Sequence, residues 1–83
     1  MAINYRKLRS LSAREIISAL IRDGFAFDRQ SGAHQHYRHP DKRRVTVSFH
    51  HASDSFPVKT LKRMIEDQAH WTEDDLKRLG LMS

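Results

Sequence analysis

The apolar residues change their period partway along the chain, and that change restricts the fold more than any other feature. In "SAREIISALIRDGF" the isoleucines and leucine at Ile16, Ile17, Leu20 and Ile21 recur at helical spacing. Ser12 and Glu15, three residues apart, form the reciprocal capping pattern that opens a helix. Gly24 stands where a left-handed residue closes one, so a helix is predicted from Ala13 to about Asp23. The period then drops to two. Phe25 and Phe27 alternate with Ala26 and Asp28, which predicts a strand with one buried face. "QSGA" supplies a turn centred on Gly32, and the strand "HQHYRH" has Tyr37 as its apolar anchor. "PDKR" turns again into "RVTVSF", where Val45, Val47 and Phe49 face inward while Thr46 and Ser48 face out.

Helical spacing returns after Pro57, which suits the first position of a helix. Val58, Leu61, Met64 and Ile65 form its stripe, with an end near Gln68. A short last helix is predicted after the cap Thr72, with Leu76 and Leu79 as contacts and Gly80 closing it. The order is α-β-β-β-α. It predicts a single α+β domain over residues 1–83, with helices on one face of a three-stranded antiparallel sheet and a short C-terminal helix. Residues 1–10 read as a loosely attached basic arm carrying Arg6, Lys7 and Arg9.

At 83 residues the core must be small, and with no cysteine neither disulfides nor thiolate metal sites can reinforce it. No apolar run is long enough for a membrane span or a signal peptide, so the expected compartment is the cytoplasm. The 15 Lys and Arg against 10 Asp and Glu leave a net charge of +5, which favours polyanionic partners.

Five of the six histidines, His34, His36, His39, His50 and His51, fall within "SGAHQHYRHPDKRRVTVSFHH". Side chains alternate across a strand, so with Tyr37 inward, His34, His36 and Arg38 share the open face. Thr46, Ser48 and His50 join them there. Three readings compete. A metal site needs three or four converging ligands, and His34-x-His36 with His50 or His51 would be the set. Neither a helical histidine pair nor a carboxylate cluster nor a thiolate supports it, so no metal and no other cofactor is expected. A solvated polar surface is the second reading, and it suits His39 and His51; His70 beside Trp71 reads as helix-end packing or capping. The third is acid–base chemistry. Imidazole both takes and gives a proton near neutral pH, and with nearby cations it can cleave RNA through the 2′-hydroxyl that DNA lacks.

The run "GAHQHYRHPD" resembles the HicA-type (YcfA-like) toxins, whose pattern is Gly, a small residue, His, then an aromatic three positions on and His-Pro. The resemblance continues through "RVTVSFH", through Pro57, Thr60, Leu61, Lys62 and Arg63, and through "IRDGF" and "LKRLGL", covering roughly residues 12–80. It implies a fold similar to double-stranded RNA-binding domains and the toxin role in a type II toxin–antitoxin pair. It also implies metal-independent cleavage of mRNA, with His34 as the catalytic histidine, and neutralisation by a HicB-type antitoxin that covers this surface. His36, Arg38 and His50 are candidate helpers. The chain departs from the family pattern at Ala33, where serine is common, at Lys42, where glycine follows the aspartate, and at Lys59, where glycine precedes Thr-Leu.

Lys59, Lys62 and Arg63, at i, i+3 and i+4, share a helix face and are candidate RNA contacts, as are Arg43 and Arg44 beside the sheet. The rival reading is a non-catalytic double-stranded RNA-binding module, a decayed toxin that holds duplex RNA on the same basic surface.

Overall fold

A computed structural model describes residues 3–82. Helix α2, Ala13–Arg22, opens as its sequence dictates. The Ser12 hydroxyl accepts from the Glu15 N–H, and the Glu15 carboxylate accepts from the Ser12 N–H at 3.0 Å. Its buried stripe is Ala13, Ile16, Ala19 and Leu20; Ile17 is half-buried and Ile21, one residue round from Leu20, is exposed. The helix ends at Gly24, whose φ of +104° lies in the region that favours glycine. A Cβ there would also meet the His39 ring at 2.9 Å.

Three strands follow in the antiparallel order β1 (Ala26–Ser31), β2 (His34–Arg38) and β3 (Arg44–Ser48). Gly32 and Ala33 make a two-residue hairpin, with the positive φ (+60°) falling only on the first, as a type II′ turn requires. The second turn places Pro40 and Asp41 at its centre, donates Lys42 N–H to His39 C=O at 2.9 Å, and sets Lys42 at φ +80°.

Tyr37, Val45 and Val47 face the helices and are buried with Ile16, Leu20, Leu61 and Ile65 in one core. Phe27 was expected in that core and is instead 53% exposed. It lies opposite Tyr37, its ring edge-on at 5.8 Å, but on an edge strand that the helices do not cover. Phe25 takes the buried position, edge-on to Trp71 at 6.5 Å. Half-buried Phe49 packs against the core's margin.

Pro57 precedes α3 (Val58–Lys62) by one residue, and the helix widens into a π-helical segment over Arg63–Gln68. Leu61, Met64 and Ile65 are buried, whereas Val58 is exposed. Helix α4, Glu73–Arg78, is capped by Thr72 through a reciprocal pair with Asp75, and Leu76 and Leu79 are buried beneath it. The amino-terminal arm is not loose where it is described. Residues Tyr5–Leu8 form α1, Leu8 is fully buried, Leu11 is buried, and Ile3 and Tyr5 pack on the core. Apolar residues spaced among the cations anchor it, and the Tyr5 hydroxyl donates to Glu66. Residues 1, 2 and 83 of the predicted domain lie outside the described residues. Among the described residues, no helix is long and apolar enough to cross a membrane.

Candidate active site

The strand register turns the open face of the sheet into a small lattice. His34 faces Ser48 on β3 and Ser31 on β1; His36 faces Thr46 and Arg29; Arg38 faces Arg44 and Ala26. The Phe49 N–H donates to Ala33 C=O at 3.0 Å, which makes that pair hydrogen-bonded across the hairpin. Pairs alternate in type along an antiparallel ladder, so His34–Ser48 and His36–Thr46 are both non-hydrogen-bonded pairs, where side chains approach closest. Each imidazole therefore reaches the hydroxyl opposite. His34 Nδ1 shares a hydrogen bond with Ser48 Oγ, and His36 Nδ1 shares one with Thr46 Oγ1 at 3.0 Å. Each ring keeps Nε2 for another partner. A hydroxyl both donates and accepts, so this contact fixes the ring without fixing which nitrogen carries the proton. His34 is exposed and His36 half-buried.

Cations surround the rings. Arg38 and Arg44 lie opposite each other, an arrangement unfavourable by itself, and both are exposed. Arg29 was not anticipated. Plain alternation from Phe27 would turn it inward, but the register shifts between Phe27 and Arg29, and this bulge at Asp28 re-aims it to face His36. Among the described residues, none of these three arginines is in an ion pair.

Beyond β3 the chain bends through a loop that Asp54 ties together. Its carboxylate accepts the backbone N–H groups of His50 and His51, each at 3.0 Å. Those donors hold the Asp54 carboxyl below the usual carboxylate range. A hollow of about 600 Å³ opens here, lined by Ala33, His34, Ser48, His50, Asp54 and Ser55 among others. The structure thus brings His34 and His50 to one hollow and sets His36, Arg38 and Arg44 on the face beside it.

Arg43 does not join them. Its guanidinium bonds the Asp41 carboxylate at 2.7 Å and the Ala69 carbonyl at 2.6 Å, pairs with Asp23 at 3.2 Å, and stacks over the Phe25 ring at 4.9 Å. Its guanidinium is thus engaged by the protein's own groups, whereas Arg44, the neighbouring candidate, is exposed. His39 is structural. Its Nε2 contacts the Asp23 carbonyl at 3.0 Å while Nδ1 accepts the Asp41 N–H, so the reading of it as a free surface residue is corrected. His51 is exposed in the loop, and His70, two residues after the π-helical segment, stands at φ +55°. Lys59, Lys62 and Arg63 are exposed on the helix layer. Lys62 lines a second hollow with Tyr5, Glu66, Trp71 and Asp74, which shares no residue with the first. Among the described residues, no group of three His, Asp or Glu side chains converges as a metal site would need.

A family model described as the HicA toxin of bacterial toxin–antitoxin matches residues 13–71, which include the whole sheet, the Asp54 loop and α3. The chain belongs to the HicA toxin family. The match places it among the toxins of toxin–antitoxin systems, for which an antitoxin is the implied partner. No match was found among curated proteins. The HicA match begins at the first residue of α2 and ends at Trp71, so α1 and α4 lie outside the matched span.

Proposed function

We propose that this HicA-family chain is an endoribonuclease that cleaves mRNA without a metal ion, with His34 as general acid or base, and that a HicB-type antitoxin silences it by covering the open sheet face. The observation that carries this reading is the exposed His34 ring, oriented by Ser48 and lining a hollow, on a face whose arginines form no ion pair among the described residues. RNA supplies its own nucleophile, the 2′-hydroxyl, so the protein has to move protons and hold charge. Arg29, Arg38 and Arg44 are placed to hold phosphate charge, and His50 borders the hollow from the Asp54 loop. Lys59, Lys62 and Arg63 give the RNA a second, sequence-independent hold on the helix layer. An mRNA target places the activity in the cytoplasm, and an acidic antitoxin surface complements the arginines.

The test is cleavage of labelled mRNA by purified protein in chelator. His34→Ala is expected to fold normally and cut about 10²–10⁴-fold more slowly, the usual contribution of a positioned proton-transfer group. A mobility shift without shortening by the unmodified chain would instead support the non-catalytic RNA-binding module.

A further inference from the structure

The open face repeats one device. Two residues along β2 from His34, on the same side of the sheet, His36 is held through the same ring nitrogen by a hydroxyl of the same neighbouring strand. Strand geometry puts the two positions about 6.5–7 Å apart. Both rings are anchored at Nδ1, so both present Nε2. Thr46 is itself fixed. Its backbone N–H points away from β2 and donates to the Gln68 side chain at 2.9 Å, so the hydroxyl that holds His36 stands on a strand clamped to the helix layer. His50, the other imidazole near the hollow, has its backbone fixed by Asp54, but among the described residues its ring has no hydrogen-bond partner.

We propose that His36, positioned by Thr46, is a second catalytic residue that works beside His34, so that one imidazole accepts a proton from the RNA while the other donates one. This inference rests on the endoribonuclease reading. The attacking and leaving oxygens of a phosphoryl transfer are roughly in line across phosphorus. Each proton partner must come within about 2.6–3.2 Å of its own oxygen, so two groups on either side of the phosphate serve better than one. One imidazole removes the 2′-hydroxyl proton as that oxygen bonds to phosphorus. The bond from phosphorus to the 5′-oxygen breaks, and the other histidine, protonated, gives its proton to that oxygen. The products are a 2′,3′-cyclic phosphate and a 5′-hydroxyl end. No water is consumed, and proton exchange with solvent resets the pair. Arg29, directly opposite His36, lies where it can hold the phosphate oxygens during the step. Thr46 and Ser48 are positioning residues. Because a hydroxyl takes either role in a hydrogen bond, each ring can change protonation without losing its anchor.

The test uses purified protein and two versions of one labelled RNA, one natural and one with sulfur in place of the bridging 5′-oxygen, whose thiolate leaves without a proton. On natural RNA the unmodified chain is expected to give a bell-shaped pH–rate profile. His36→Ala should slow it about 10²–10⁴-fold and remove one limb. Thr46→Val should lower kcat about tenfold with KM little changed, and Thr46→Ser should restore it. The sulfur-bridged RNA should rescue one histidine variant and not the other; the rescued residue is the acid. Circular dichroism of each variant checks that it folds. A His36→Ala protein that keeps its rate and its two-limbed profile overturns this proposal and leaves the His34 reading intact. If His50→Ala rather than His36→Ala removes the limb, the second role belongs to His50 and the proposal also fails. Absence of any cleavage by the unmodified chain overturns both readings together.

Discussion

Lys42 sits at φ +80°, in the left-handed region, at the end of a turn that Pro40 and Asp41 build. An L-residue with a full side chain costs roughly 1–2 kcal/mol there. What holds it is its neighbours. The Asp41 carboxylate accepts the Arg43 N–H at 3.0 Å and the Arg43 Nε–H at 2.7 Å, and the His39 N–H closes the turn on Arg43 C=O at 2.9 Å. Glycine removes the side-chain penalty and returns part of the gain as unfolded-chain entropy, so Lys42→Gly should stabilise by about 0.5–1 kcal/mol. Thermal unfolding reads that as a rise of a few degrees. An unchanged or lower midpoint would mean the turn has relaxed around lysine. The sequence announced a turn at "PDKR", and the glycine that the family pattern carries at position 42 marks the left-handed position that lysine fills here. Gly24 was legible only in part. Its role as a helix end was legible from spacing, while the His39 ring packed against it was not, because that contact joins residues whose pairing only the folded chain decides.

At the level of elements, the two edges of the sheet are treated differently, and the difference reaches the site. The outer edge of β3 is closed where Gln68 accepts the Thr46 N–H, whereas β1 is exposed throughout and interrupted by its bulge. Bulges and charges are common ways to keep an exposed edge from pairing with another chain. This bulge also turns Arg29 to the open face. The alternation of Val45, Val47 and Tyr37 along the chain was enough to assign His34, His36, Thr46 and Ser48 to the correct face. It could not place Arg29, since a single extra residue reverses the phase of everything after it, nor foresee an exposed Phe27, which lies before the bulge opposite Tyr37 but on a strand the helices leave uncovered. Removing the Gln68 clamp leaves the Thr46 N–H without its partner, so Gln68→Ala should cost about 1 kcal/mol in urea unfolding. It should also speed exchange of the Thr46 amide relative to the amides of β2. Equal exchange in the two proteins would show that Gln68 does not clamp the strand.

Across the whole molecule, one carboxylate gathers the ends of elements far apart in sequence. Asp23, whose side chain is 9% exposed, follows the last turn of α2. It accepts Trp71 Nε1–H at 2.9 Å and pairs with Arg78 of α4 at 2.9 Å and with Arg43 beside β3 at 3.2 Å. Its own carbonyl contacts the His39 ring. "IRDGF" looked like a helix end, and so it is, but the aspartate's partners at 43, 71 and 78 were beyond any local pattern. Burial alone would raise this carboxyl. The hydrogen bonds from Trp71 and Arg78 and the nearby guanidinium of Arg43 outweigh it and hold Asp23 below its ordinary value of 3.8. The unfolded chain therefore takes up this proton first as pH falls. Stability from Asp23 is complete above about pH 4 and is lost as pH drops through the lower value of the folded state. Asp23→Asn should cost about 1.5–3 kcal/mol at pH 7, the range for hydrogen bonds to a charged group, and progressively less toward pH 3. Asp41, Asp54 and Asp75 are also lowered, so the variant should keep a shallower acid slope rather than none. Urea unfolding of both proteins at pH 7 and pH 3 measures it. If the two free-energy curves run parallel across that interval, the carboxylate's charge is not what binds α2, the second turn and α4 together.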